Sequence, residues 1–453
     1  MSSHELAAFV GSTAKELDIA GVAVGVWADG REAYACHGVT SIANPLPVDR
    51  HTLFHISSVS KTFTATAMMR LVAQGRVDLD APVCRYLPDL TLSDEDAATQ
   101  ITVLQLLNHT AGLDWNLITD LGDGDDALAA FVARLGELPR IAPPGVRASY
   151  SQAGYNLAGR IIEKVTGETY ERAVTGLVLT PVGLTDTVFS LGDVITRRFA
   201  VGHNRGEDGR LSQVREWKAG GRADNPGGGI VSSAADLIRW ARWHLGDGGA
   251  VLPTELLHRM REPSVALHAS TLGDAVGICW LLRDIGGTLA AGHGGSGNGQ
   301  FAELLLVPDR DFAVVSLANV GPEGIPFNQS VVRWALEHFL GVVDADPEPL
   351  PYDDARAQQV AGRYHNDAMN LTIAADGAAL TLAVGIKPEI RAGSDTEMPP
   401  DYPPAAVGLL PDDEYIITEG GLRGQRGRFT RDAGGGIAGV DLAGRLFTRI
   451  PSA

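Results

Sequence analysis

Ser58 and Lys61 stand three residues apart in Phe54-His55-Ile56-Ser57-Ser58-Val59-Ser60-Lys61-Thr62-Phe63-Thr64-Ala65, which opens an apolar-periodic stretch ending at Gly75. On a helix, residues three apart share a face, so the lysine amine lies one turn from the serine hydroxyl. A serine beside an amine is a potential nucleophile. The spacing recurs at Ser12 and Lys15, but there it sits inside an amphipathic pattern of Leu6, Phe9, Val10, Ala14 and Leu17. A mid-helix serine of that kind faces solvent or its own backbone. Ser58 instead begins its helix, where free N–H groups and the positive dipole end point at it. The plain alternative for Ser57 or Ser58 is a helix N-cap.

Two further segments carry chemistry. One is Ser149-Tyr150-Ser151-Gln152-Ala153-Gly154-Tyr155-Asn156, and the other is Gly292-His293-Gly294-Gly295-Ser296-Gly297-Asn298-Gly299-Gln300. The glycines of the second match a dinucleotide-binding fingerprint, yet a strand rather than a helix follows, which excludes a phosphate cradle. In this order, and with the flanks Leu106 to Leu113 and Asn225 to Leu237, residues 5 to 340 resemble the serine β-lactamase and penicillin-binding protein superfamily, in its class C β-lactamase-like branch.

The resemblance implies roles. Ser58 is the nucleophile, Lys61 and Tyr150 are its proton-handling partners, and the backbone N–H groups of Ser58 and Ser296 form an oxyanion hole. The strand with His293, Gly294 and Gly295 borders the substrate, and Gln152, standing where the family usually has asparagine, contacts the substrate amide through a longer arm or not at all. Many relatives carry lysine and threonine in place of His293 and Gly294 and use them to bind a substrate carboxylate. Neutral histidine and glycine weaken that contact, so β-lactams are expected to bind poorly. Tyr364-x-Asn366 imitates the family's Tyr-x-Asn but lies near a strand start far downstream, and is read as unrelated.

An alcohol attacks an amide or ester only if its proton is taken in the transition state. A free lysine with pKa about 10.4 is neutral roughly once in 2,500 at pH 7, and tyrosine at about 10 has the mirror-image problem. Placing Lys61 and Tyr150 together lets them share one proton. Tyr150 is read as the base with Lys61 as its partner, with the reverse assignment open.

The elements that must position these groups are also legible. A first helix leads into a hairpin, Val22 to Trp27 and Ala33 to Gly38 across Asp29-Gly30. Strands are expected at Thr288 to Ala291, Phe301 to Val307 and Phe312 to Leu317, followed by a helix from Asn328 to Leu340 closed by Gly341. Strands from both ends form one antiparallel sheet flanked by the terminal helices, and the all-helical middle, through Ala234 to Leu245, is an insertion. The class is therefore α+β, a β-lactamase/transpeptidase-like catalytic domain over residues 1–342. A proline-rich acidic linker, 343–352, follows. Residues 353–453 show short alternating strands at Leu371 to Ile373, Leu380 to Leu382, Tyr415 to Ile417 and Arg445 to Thr448 without a long helical pattern, and form a small all-β, lipocalin-like barrel.

At 453 residues with 45% hydrophobic and 20% charged, the composition is globular, and the net charge of -18 disfavours nucleic acid and anionic membranes as partners. Cys36, Cys84 and Cys279 are too scattered for a disulfide framework and read as buried small hydrophobes in a reducing compartment. The first residues lack a basic-then-apolar leader, so a cytoplasmic location is expected. There is no Gly-x-Ser-x-Gly elbow and no His-Glu-x-x-His, so neither that hydrolase architecture nor a metal or other cofactor is expected. The partner is a small-molecule or peptide substrate. The first reading is a serine hydrolase for amides or esters such as D-amino-acid peptides, similar in its His-x-Gly motif and barrel tail to D-aminopeptidases, esterases and penicillin-binding-protein-type thioesterases. The second is an acyltransferase or peptide cyclase that uses an amine acceptor. A non-catalytic binding module would be expected to lose Ser58, Lys61 or Tyr150, and all three are present.

Overall fold

A computed structural model of the chain describes residues 3–94, 96–117, 121–206, 208–218, 220–392, 398, 400–401 and 403–451. Among them an eight-stranded antiparallel sheet runs in the order Arg31–Gly38, Gly21–Ala28, Phe312–Ala318, Phe301–Val307, Thr288–Ser296, Leu281–Ile285, Gly273–Val276, Val265–Ser270. Strands from both ends of the catalytic region thus meet in one sheet, with Gly25 opposite both Tyr34 and Val315. The hairpin turn has Asp29 and Gly30 at φ 51 and 71, the left-handed pair that a two-residue connection between twisted strands requires. The last three strands were not foreseen, because Asp274, Arg283 and Asp284 break their apolar runs.

Successive side chains of a strand point to opposite faces, and the core divides accordingly. Leu305, Val307 and Val314 pack under the helices Ser3–Glu16 and Gly324–Ala335, whereas Ala302, Leu304, Leu306 and Val315 pack under the inserted helical region. The terminal helix begins at Gly324, earlier than the expected Asn328, because Pro326 falls in the first turn, where no N–H is needed. The helix Ser60–Ala73 runs through the inserted region and is buried nearly all round. Its threonines satisfy themselves on carbonyls, Thr62 on Val59 and Thr66 on Thr62, each at 2.8 Å.

The acidic linker is pinned down: Asp344 pairs with Arg283 at 2.9 Å, Asp346 pairs with Arg333, and the Leu350 N–H donates to the Leu409 carbonyl at 2.8 Å. Beyond it a short helix, Asp354–Val360, precedes a closed barrel of eight strands, from Gly362–His365 to Arg445–Arg449, which pair to shut it. Four of the eight strands were missed in the sequence, since glycine and arginine interrupt the alternation in segments such as Arg426–Arg431. Tyr364, Leu371, Tyr415, Phe429 and Phe447 fill the interior. Tyr364 donates to the Val360 carbonyl at 2.6 Å, a barrel contact that agrees with setting its Tyr-x-Asn aside. The cysteines are all free, but only Cys279 is buried; Cys36 is exposed on the sheet's edge strand, contrary to expectation, because its position alternates outward. No helix among the described residues is long and apolar enough to cross a membrane.

Candidate active site

Ser58 lies in a single tight turn, Ser57–Val59, which leads into the helix Ser60–Ala73. Ser57 has φ 44, a conformation costly for a residue with a side chain, and the turn is held by Ile56 N–H to the Ile230 carbonyl at 3.1 Å and Ile230 N–H to Ser60 Oγ at 2.9 Å. Lys61, one turn on, is fully buried. Its Nζ lies 2.8 Å from Gln152 Oε1, 2.7 Å from the Gly227 carbonyl and 3.4 Å from Ser58 Oγ. Burial lowers its pKa to about 7, helped by the positive charge of Arg445 and resisted by Asp224. The other Ser-x-x-Lys differs as expected: Ser12 is exposed and bonds the Phe9 carbonyl at 2.9 Å.

Tyr150 stands just before the N-terminus of the helix Gln152–Thr166. Ser151 caps it, accepting from Gly154 N–H at 3.1 Å, while its own N–H donates to His109 Nδ1 at 3.1 Å. The tyrosine ring stacks obliquely on His109, centroids 4.4 Å apart, with the Lys61 Nζ 4.8 Å from the ring centre. Burial pushes the phenol above its usual range, while a hydrogen bond from the Ser58 hydroxyl and the charge of Arg445 pull it back. The same loss of water therefore favours the uncharged form of both groups.

Gln152 lines the cleft with its amide engaged by the protein. Its oxygen accepts from Lys61 and its nitrogen donates to Asn156 Oδ1 and to the Asp224 carbonyl, both at 3.1 Å, so its polar groups are taken internally. His293 Nδ1 faces the Gly294 carbonyl at 2.8 Å and so carries the proton, which leaves the buried, unpartnered Nε2 as an acceptor. Burial and the nearby Lys61 hold its pKa down at about 3, so it is neutral at pH 7. A Cβ on Gly295 would lie 2.1 Å from the Ile56 carbonyl and 3.3 Å from the Ser58 N; its absence lets the strand lie against the nucleophile's turn, with Ser296 next along.

Arg445, Trp115, Asp224 and Glu303 also line the cleft of about 2650 Å³ into which Ser58, Tyr150 and His293 open, and none was singled out in the sequence. Arg445 sits in a strand, Arg445–Arg449, whose pattern reads only as barrel wall. It reaches the site because the barrel docks there: Tyr150 N–H donates to the Gly444 carbonyl at 2.8 Å, and Asp367 N–H donates to Asp114 Oδ2 at 3.2 Å.

The profile of the Beta-lactamase family matches residues 6–329. Penicillin-binding protein 4 of Amycolatopsis lactamdurans is 32% identical over 366 residues, spanning 78% of this chain and 94% of that one. Esterase EstB of Burkholderia gladioli is 29% identical, with 62% and 80% covered. The crystal structure of SurE superposes with a TM-score of 0.74 at 27% identity over 99% of both chains, barrel included. D-amino acid amidase from Ochrobactrum anthropi shares the fold, with a TM-score of 0.62 at 24% identity over 72% of this chain and 98% of that one. With a serine, a buried amine and a phenol in contact inside this fold, the chain belongs to the beta-lactamase family of serine hydrolases.

Proposed function

We propose that the protein cleaves amides or esters, D-amino-acid peptides and small esters among them, through an acyl-Ser58 intermediate. The observation that carries this reading is the bonding of Lys61. Its Nζ donates to Gln152 Oε1 and the Gly227 carbonyl at 2.8 and 2.7 Å and reaches Ser58 Oγ by the longest of its three contacts, 3.4 Å; when the amine is neutral the two short bonds keep its two hydrogens, and the lone pair can turn to the Ser58 proton. The Ser58 proton passes to Lys61 as Oγ bonds the carbonyl carbon, and the carbonyl π pair moves to its oxygen, beside the Ser58 and Ser296 N–H groups. Collapse expels the leaving group with the Tyr150 proton, and Lys61 returns a proton to Tyr150. Water, activated by the same couple, then releases the acid. On this reading Lys61 rather than Tyr150 is taken as the base, since burial brings the amine to a pKa of about 7, where about half of it is neutral at pH 7, and raises the phenol above its usual range.

Neutral His293 and hydroxyl-free Gly294 supply no cation for a β-lactam carboxylate. The relative EstB is an esterase, and the similar structures of SurE with D-Leu and of a D-amino acid amidase with D-phenylalanine support small D-configured acyl groups. A second reading, transfer of the acyl group to an amine or cyclisation of a peptide, is favoured by the cleft, which at about 2650 Å³ exceeds the roughly 300–1,000 Å³ of ordinary small-ligand pockets. Purified protein given p-nitrophenyl esters, D- and L-aminoacyl anilides, a chromogenic cephalosporin and a peptidyl thioester tests both. Acylated Ser58 by mass spectrometry, absent in Ser58→Ala, is expected; turnover without such an adduct in any rapid quench sinks the first reading, and cyclic product promotes the second.

A further inference from the structure

Glu303 lies directly across the sheet from Gly294, and its carboxylate occupies the space that a side chain there would take: a Cβ on Gly294 would meet Glu303 Oε2 at 2.9 Å. Along its strand Glu303 shares a face with Leu305 and Val307, both in the apolar cluster under the terminal helices. A polar track interrupts that cluster at this end, from Glu303 to its neighbour Ser316, which donates to Asn328 Oδ1 at 2.7 Å. The carboxylate is half-buried and lines the active-site cleft. Among the described residues it has no hydrogen-bond donor, and the one cation it feels, Arg283, is held by both oxygens of Asp344 at 3.0 and 2.9 Å. A carboxylate so placed costs free energy until a cation meets it.

The strand also says which end of the substrate lies there. Its residues run from His293, whose ring centre is 6.1 Å from that of Tyr150, through Gly294, to Gly295 against the Ser58 N. The departing group takes its proton, and an incoming acceptor gives one up, on the Lys61–Tyr150 side. We propose that Glu303 is a specificity-determining subsite for a cation, an ammonium or guanidinium, carried by the group that leaves acyl-Ser58 or attacks it. The inference rests on the acyl-Ser58 reading and deepens it: the enzyme selects basic leaving groups or amine acceptors, and the same carboxylate repels the anion of a β-lactam. Burial raises the Glu303 carboxyl to about 7, so an arriving cation also draws it into its ionised form.

Two esters that differ by one isosteric change in the leaving group test this: para-aminomethylphenyl acetate, cationic at pH 7, and para-ethylphenyl acetate. The readout is the ratio of their kcat/KM values in wild type and in E303Q, so intrinsic ester reactivity and the amount of folded protein cancel. The ratio is expected to fall by about tenfold in E303Q and to recover partly in E303D. A fall of less than threefold overturns the proposal. A Ser58 adduct from p-nitrophenyl acetate is scored separately: its absence sinks the acyl-enzyme reading, whereas its presence with a flat ratio sinks only the subsite.

Discussion

Arg445, on the last strand of the barrel, places its guanidinium carbon 5.2 Å from the centre of the Tyr150 ring and 5.1 Å from that of Trp115. The guanidinium is half-buried and its Nε has no hydrogen-bond partner among the described residues, while Asp441 and Asp367 of the barrel offset part of the cost of burial. A residue of the barrel thus brings its charge to bear, beside burial, on Lys61 and Tyr150.

The first expected outcome is the pH profile. A base must be neutral to work, so kcat/KM rises with pH up to about 7, where Lys61 loses its extra proton, and levels off above it. Arg445 repels that proton. Arg445→Met should therefore move the rising limb to higher pH, in a kcat/KM profile measured with a neutral ester; a limb that stays put would show that the two charges do not communicate.

Lys61→Met should lower kcat/KM by roughly 10²–10⁴-fold, the range for losing a proton acceptor. It should also destabilise the fold, because the Gly227 carbonyl and Gln152 Oε1 lose a donor, at roughly 1–3 kcal/mol for each buried orphan. Since the folded pKa of Lys61, about 7, lies below the unfolded value, the unfolded chain binds more protons between them, and wild-type stability from this group grows as pH rises. The Tm gap between wild type and variant should widen from pH 7 to about pH 9.5 in thermal melts.

Tyr150→Phe separates the two assignments of the base. With Lys61 as base, the variant still acylates Ser58 from p-nitrophenyl esters, whose leaving group departs without a proton, and loses the anilides. With Tyr150 as base, both substrate classes fail together in a stopped-flow acylation assay.

Gly295→Ala tests the fit of strand and turn. The new methyl would press on the Ile56 backbone carbonyl at 2.1 Å, and the turn holding Ser58 must move. A displacement of about 1 Å costs on the order of 10²-fold in rate. Circular dichroism should show a folded protein whose kcat has dropped by about that factor.

The chain's own pattern determined what is local or periodic. Three-residue spacing put Lys61 one turn from Ser58, alternation gave the sheet strands of both ends their two faces, and an Asp-Gly pair turned the hairpin. It did not disclose the strands from Val265 to Ile285, the outward side of Cys36, or the four interrupted strands of the barrel, where pairing rather than propensity holds the backbone. Nor did it disclose Arg445 and Glu303 as parts of the site. Desolvation and Coulomb forces act through space and ignore sequence separation, so the pKa of Lys61 was settled only when residues as distant as Asp224, Cys279 and Arg445 were folded around it.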